Sequence, residues 1–330
     1  IDLASKPPIH FLLAGRGVGK DLSLETPMFT QNKGWVTMGD IEIGDFVFSW
    51  DGKPTQVINK YHPEPRQLVE FTFSDDSKII SSVEHDWVTF TRKERRYISR
   101  HLDGNVPEDW VNWIGESKNR WNQIVDNCSS EKRTTQEIID SFRDNSTRSD
   151  LNHSIPTCMP LEGEHQQIIE NPYYLGYWLG DGSSSQYYSI ACGEQDKNHI
   201  FNYFQGIKKS KSNEFLYLLP KEKAFFIKKM GLVKNKHIPD YVFKASLHQK
   251  IEILRGLMDS DGCVSKEKNL VEFTNTNKNI AYGLYKLAIS LGQKATIKEG
   301  DAKLNGRFIS KKYRVTWSPV YNLNPFNLKR

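Results

Sequence analysis

Leu254-Arg-Gly-Leu-Met-Asp-Ser-Asp-Gly262 decides the reading of this chain, because a looser copy of it, Tyr174-Leu-Gly-Tyr-Trp-Leu-Gly-Asp-Gly182, lies 80 residues upstream. Both copies have Gly third, Asp eighth and Gly ninth. Each reads as a short apolar helix that stops at Asp-Gly. The third-position glycines, Gly176 and Gly256, permit close approach to a neighbouring helix, and the final glycine suits a left-handed position after the last turn. A helix C-terminus carries partial negative charge, so Asp181 and Asp261 stand where a carboxylate is disfavoured by roughly 0.3–1 kcal/mol. A positive partner is therefore expected beside them. One copy alone would be an ordinary buried helix ended by a turn; two copies with shared offsets indicate an internal duplication. If the helices pack through their glycines, two carboxylates and the last carbonyls form an all-oxygen anionic site. Such a site suits Mg²⁺ or Mn²⁺, and ions held there can activate water and stabilise a leaving oxygen in phosphodiester hydrolysis.

The two stretches resemble the paired motif of LAGLIDADG homing endonucleases. The second follows the family pattern closely; the first has Leu179 where the pattern has its first acid, and Gly180 at its small-residue position. The resemblance implies an α+β, pseudo-twofold domain over residues 160–330, two αββαββα-type halves whose sheets form a saddle over duplex DNA. It implies that Asp181 and Asp261 are the catalytic, metal-binding acids, with Gly180 and Ser260 beside them at the metal. It further implies site-specific cleavage of double-stranded DNA, the intein-free copy of the host gene, by a monomeric nuclease. Lys236-His-Ile-Pro239 stands 25 residues ahead of Asp261 and matches the block that carries a catalytic lysine in intein endonucleases. A lysine there can orient water or stabilise phosphate charge, although a surface lysine before a proline is the plainer reading. Lys312 is the rough counterpart in the second half, with Lys298 as the alternative.

At 330 residues, 38% hydrophobic and 12% aromatic, the chain can build two or three cores. A net charge of +5 does not by itself indicate a nucleic-acid partner. The clusters Lys208, Lys209, Lys211 and Lys311, Lys312, Arg314 flank the acid-ended helices and are candidates for phosphate contacts, though many such runs are only solvated faces. The four cysteines form no C-x-x-C pair, which fits a reduced compartment. No apolar run is long enough to span a bilayer. A soluble protein of the bacterial cytoplasm, without a membrane partner, is expected.

His10-Phe-Leu-Leu-Ala-Gly-Arg-Gly-Val-Gly-Lys20 reads as a strand entering a glycine loop close to a P-loop. It departs at Ala14, where the first Gly belongs, and at Asp21, where Ser or Thr would hold Mg²⁺. It resembles the ATPase loop of phage terminase large subunits, cut off after its Lys, so residues 1–20 are expected to be host protein around a phage-encoded insert. From residue 21 the chain resembles the N-terminal splicing blocks of inteins, the mostly-β Hint fold, expected over 21–95. Val47-Phe-Ser and Thr55–Asn59 read as strands about an Asp51-Gly52 turn, and Leu68–Phe73 with Lys78–Ser82 as a second hairpin. Ser82-Val-Glu-His85 matches the block whose His polarises the upstream splice-junction peptide. Asp21 stands where that family begins with Cys or Ser, and a carboxylate is a poor substitute in the acyl shift.

No C-terminal splicing block is visible after Trp317. The expectations are a truncated chain, one piece of a split element with a separate C-terminal partner, or a degenerate intein that kept its nuclease; none would self-splice. Residues 96–159 read as a polar linker or a DNA-recognition insert, with Trp110, Trp113 and Trp121 among charges and a capped helix over Thr134–Phe142. Elements expected beyond are a strand from Gly182 to Cys192, a helix from Asp196 to Lys208, and strands at 214–219, 269–274, 295–299 and 313–317 around a helix from Asn277 to Leu291. Two competing functions remain. A splicing module with a dead nuclease is opposed by the survival of both acids. An ATP-driven packaging motor is opposed by Asp21 and by the lack of a following acidic ATPase strand.

Overall fold

The computed structural model describes residues 21–49, 51–61, 67–74, 77–95, 132–145, 147–155, 157–168, 171–183, 188–211, 213–265, 270–321 and 323–328. The glycine loop of residues 10–20 and Trp110, Trp113 and Trp121 lie outside them. The chain divides into two compact units, with the boundary between Leu161 and Glu162.

In the first unit, β1 (Pro27–Thr30), β2 (Gly34–Thr37), β3 (Phe46–Phe48) and β4 (Pro54–Gln56) form an antiparallel sheet in the order β2-β1-β3-β4. The expected hairpin is present, with Val47 opposite Thr55 across the turn at Asp51-Gly52, but β4 stops at Gln56, short of Asn59, and burial does not alternate along either strand. Gly52 is required there twice over, because its φ is +78° and a Cβ would stand 2.1 Å from the Pro160 carbonyl oxygen. The second expected hairpin is β5 (Leu68–Thr72) against β6 (Lys78–Ser82). Next come β7 (Asp86–Val88), β8 (Phe90–Thr91), β9 (Lys132–Thr134), α1 (Thr135–Asp140) and β10 (His153–Ser154). Thr134 accepts from the Glu137 N–H and Glu137 bonds back to the Thr134 N–H, the expected capping box. The extended stretch after Asn152 joins a sheet edge, pairing His153 with Thr91.

The second unit contains α2 (Pro172–Asp181), β11 (Gly182–Ser183), β12 (Ser189–Ala191), α3 (Lys197–Tyr203), β13 (Lys208–Lys209), β14 (Leu216–Leu218), α4 (Lys221–Lys229), α5 (Asp240–Phe243), α6 (Leu247–Asp261), β15 (Gly262–Ser265), β16 (Leu270–Asn275), α7 (Lys278–Ser290), β17 (Thr296–Leu304) and β18 (Arg307–Trp317). Each acid-ended helix leads straight into a four-stranded sheet, β11-β12-β14-β13 after α2 and β15-β16-β18-β17 after α6. That repetition is the duplication seen in the sequence. The single strand expected over 182–192 is instead two short paired strands, and α3 ends at Tyr203, short of Lys208. The expected strands near 295–299 and 313–317 are longer, reaching Leu304 and back to Arg307.

The helices α2 and α6 form the centre of this unit. From Tyr173 to Leu179 every residue of α2 is buried. A Cβ on Gly176 would sit 2.1 Å from the Ile253 carbonyl oxygen, and one on Gly256 would sit 2.3 Å from that of Tyr173 and 2.5 Å from the Tyr177 nitrogen. Backbone therefore touches backbone at the crossing, where no side chain can rotate aside. Gly256→Ala should lower the stability of this unit by about 1–3 kcal/mol, seen as a fall in melting temperature, whereas Gly193→Ala, which meets nothing within 4 Å, should leave it within about 2 °C.

A candidate metal and nucleic-acid site

The glycine crossing carries the two helices in contact to their C-terminal ends. A Cβ on Gly180 would overlap the Ser260 hydroxyl at 1.8 Å and lie 3.2 Å from Asp261 Oδ2, so the two Asp-Gly ends meet. The closing glycines are not left-handed as expected. Gly182 has φ −84° and Gly262 φ −93°, both extended, because each is already the first residue of a strand. Glycine is needed for space instead: a Cβ would stand 2.3 Å from the Trp178 carbonyl oxygen at Gly182 and 2.5 Å from that of Met258 at Gly262.

The positive partner that the helix ends require is Lys236. Its Nζ donates to the carbonyl oxygens of Leu179 and Gly180, each at 3.1 Å, and to that of Gly182, while lying 4.9 Å from the centre of the Trp178 ring. Ile238, buried two residues on, anchors the segment. Burial pushes the Lys236 ammonium down to about 8, against the pull of Asp261 and then of Asp181. Asp261 is shifted the other way: burial raises its carboxyl, opposed by a hydrogen bond from Asn275 and by the charge of Lys236. Both acids thus act on one ammonium group.

Asn275, which drew no attention in the sequence, and Asn277, expected only as a helix start, complete this corner. Asn275 Nδ2 donates to Asp261 Oδ2 at 2.8 Å, its Oδ1 accepts from the Asn277 N–H at 2.7 Å, and Asn277 Nδ2 donates to the Lys236 carbonyl at 3.1 Å. Asp259, the first acid of the second motif, serves elsewhere. Fully buried, it accepts from the Tyr173 hydroxyl at 2.7 Å and from the N–H groups of Asn327 and Leu328. It is a tie between the helices and the last described residues, and the first copy, with Leu179 there, lacks it.

Among the described residues no group of three or more His, Cys, Asp or Glu side chains is gathered closely enough to hold a metal. An ion at the helix ends would take the two carboxylates and complete its shell with carbonyls, water or substrate phosphate, as Mg²⁺ commonly does; the donors present fit that. Gly180, expected at the metal, already shares its carbonyl oxygen with Lys236. The Ser260 hydroxyl turns back to the Leu257 carbonyl at 2.8 Å.

The remaining candidates lie on the sheets. On β18, Tyr313, Val315 and Trp317 are buried and alternate with Lys312, Arg314 and Thr316 on the open face. Asn275 pairs with Tyr313, so the strand face that reaches Asp261 is the one Lys312 turns away from. Lys298, opposite Arg314, shares the open face. Lys311 points the other way and sits between Asp301 at 2.9 Å and Glu299 at 3.5 Å. Arg314 pairs with Glu272 at 3.0 Å. Lys208, Lys209 and Lys211 are all exposed at the edge of the first sheet.

A second constellation occupies the other unit. Ser82 donates its N–H to the Asp21 carbonyl at 2.8 Å, Leu22 bridges to Ser81, and the Ser23 N–H reaches Ile80, so residues 21–23 run alongside β6. His85 is buried, edge-on to Trp87 at 4.6 Å, and its Nε2 has no hydrogen-bond partner among the described residues. Burial lowers its basicity, against Asp21 and Asp86. Asp21, Ser82 and His85 are thus brought together.

Residues 248–320, which take in nearly all of α6 and the sheet that follows it, match the family model of the LAGLIDADG-like domain. Along most of its length the chain is similar to a replicative DNA helicase DnaB from Mycobacterium intracellulare, 30% identical over 303 residues, 92% of this chain and 48% of the relative. It is also similar to the DnaB of Mycobacterium leprae (strain TN), 39% identical over 85 residues, 25% of this chain and 14% of that one. The chain spans about half the length of the first of these relatives. Both are helicases; the finer resemblance of residues 10–20 to terminases finds no support in them. Among solved structures, mesophilic variants of the homing endonuclease I-DmoI share 18% identity, covering 44% of this chain and 81% of theirs at a TM-score of 0.33. An I-DmoI variant with its target DNA and manganese gives 16% identity, 44% and 85% coverage and a TM-score of 0.30. A Msm DnaB1 intein splicing domain bound with zinc gives 38%, 21% and 54%, and 0.20.

The field at Lys236 can be measured directly. Its Nζ should titrate near 8 by lysine side-chain NMR, and lower still in Asp261→Asn, which removes an attraction that favours the charged form. An ordinary lysine midpoint in both would contradict the buried geometry.

Proposed function

We propose that this chain is an intein-embedded homing endonuclease that hydrolyses phosphodiesters of double-stranded DNA with a divalent ion. Its substrate would be the intein-free copy of a DnaB-type helicase gene. The observation that carries this reading is the meeting of two acid-ended, glycine-crossed helices around one half-buried lysine, with basic residues on the open face of an adjoining sheet. The LAGLIDADG-like domain at 248–320 supports it, as does the similarity of nearly the whole chain to a DnaB relative.

Asp181 and Asp261 would hold the ion, Mg²⁺ or Mn²⁺, and the bound ion would supply an activated water and charge stabilisation at the leaving oxygen. Asn275 holds the Asp261 carboxylate in one orientation. Lys236, held at the end of α2 with its Nζ donating to three carbonyls, is placed as a charged ammonium to offset negative charge at the acid pair and the phosphate. Lys298, Lys312 and Arg314 would meet the DNA, Lys312 and Lys298 at phosphates rather than at the acid pair. Lys311, matched by two acids, would contribute little to phosphate binding.

The first unit supports a second role within the same reading, as the front of a Hint domain. Ser82 and His85 stand against Asp21 where the junction peptide would be polarised, while the Asp21 carboxylate is no nucleophile for an acyl shift.

On a plasmid carrying the uninterrupted helicase-type gene and Mg²⁺ or Mn²⁺, the parent chain should give a linear product. Asp261→Asn should cut at least about 100-fold more slowly. A plasmid bound yet uncut by the parent would favour a decayed nuclease that keeps only its DNA grip.

A further inference from the structure

The open face of the second sheet contains an acid where a DNA-binding surface should avoid one. Glu272 lies on β16 and Arg314 on β18, the two central strands, and they meet diagonally across the ladder in which Thr274 faces Arg314. Glu272 Oε1 accepts from Arg314 Nε at 3.0 Å and from the Thr274 hydroxyl at 3.1 Å. The carboxylate is thus fixed by its own strand before it fixes the arginine. Glu272 keeps 29% of its side-chain surface exposed and Arg314 keeps 48%.

An exposed ion pair of this kind adds little stability, and a carboxylate on this face repels phosphate. Its effect is on orientation. Holding the guanidinium by Nε leaves the two terminal nitrogens directed away from the carboxylate as a planar fork, the geometry that donates to O6 and N7 of guanine in the major groove. A major groove admits a two-stranded β-ribbon, and a guanidinium fork presented there has the geometry to pair with a guanine edge. Neighbouring Lys298 and Lys312 have no fork; they are compact point charges suited to phosphate. Lys298 stands directly opposite Arg314, and Lys312 two residues along the same strand.

We propose that Arg314, oriented by Glu272, is a specificity-determining residue that reads a single guanine of the target, while Lys298 and Lys312 supply sequence-independent phosphate contacts. This rests on the nuclease reading above and adds what the site discriminates. Glu272 acts as a positioning residue: it narrows the arginine to one direction and raises the penalty on complexes in which Arg314 turns to a phosphate instead.

The test is a panel of target duplexes with each base pair replaced in turn, scored both for cleavage and for metal-free binding, using the parent chain, Arg314→Lys, Glu272→Gln and Lys312→Ala. The parent should lose on the order of 10- to 100-fold at one G·C pair when it is replaced. Arg314→Lys should lose that preference at that pair alone. Glu272→Gln should weaken the preference at the same pair while cutting the original target within a few-fold of the parent. Lys312→Ala should weaken binding evenly across the panel and lower the slope of log affinity against log salt by about one. Preferences unchanged at every position in Arg314→Lys and Glu272→Gln would overturn the proposal, as would an even loss with a reduced salt slope in Arg314→Lys, the signature of a phosphate contact. Those outcomes leave the nuclease reading standing; only a parent that cuts no member of the panel would remove it. Arg314 is exposed and Glu272 half-buried, and matched melting temperatures separate a readout effect from misfolding.

Discussion

Backbone-to-backbone contact between α2 and α6 is the constraint on which the second unit depends. Gly176 and Gly256 allow it, and nothing larger would, since the opposing atoms are carbonyl oxygens and an amide nitrogen fixed within helices. The contact sets how close the axes come, and so brings Asp181 and Asp261 to one corner. Two carboxylates at two helix C-termini add like charge to like charge. The fold answers with Lys236, which satisfies three carbonyls at the end of α2 and faces both acids. A close crossing therefore creates an electrostatic problem, and a half-buried ammonium partly solves it. The remaining negative charge is what a divalent ion would use.

Much of this was legible because it rests on local chemistry. Glycine spacing in two copies disclosed the crossing, a Thr-x-x-Glu box disclosed α1, and Asp51-Gly52 between alternating residues disclosed the first hairpin. Asp21, Ser82 and His85 were recognisable from block resemblance, and a strand-like run from Asp21 along β6 brings them together. Lys236 was identified by the resemblance of Lys236-His-Ile-Pro239 to an intein-endonuclease block ahead of the second motif, and its three carbonyl partners then accounted for the missing positive partner.

The rest depended on tertiary placement. The outer part of the hairpin of β17 and β18, Gly300-Asp-Ala-Lys-Leu304, escaped the sequence reading because none of it is buried and it carries no apolar alternation. Gly182 and Gly262 were misassigned as left-handed caps; each is the first, extended residue of a strand, and the steric role of glycine there outweighs its conformational one. Asn275 is one of several polar residues at a strand end, and only the paired geometry of β15, β16 and α6 brings it to Asp261. The basic run at Lys311–Arg314 reads as one patch, yet the two-residue period of a strand divides it between faces. Arg314 and Lys312 are left on the open side and Lys311 between two acids.

The claim at the centre is that two helix ends share one ion site, and metal-directed cleavage of the polypeptide tests it most directly. With Fe²⁺ substituted for the native ion and ascorbate and peroxide added, radicals generated at the site cut nearby backbone. The expected result is scission at both Gly180–Ser183 and Ser260–Cys263, with both sets lost together in Asp181→Asn and in Asp261→Asn. Scission at only one helix end, or the persistence of either set after the opposite acid is replaced, would contradict a shared site.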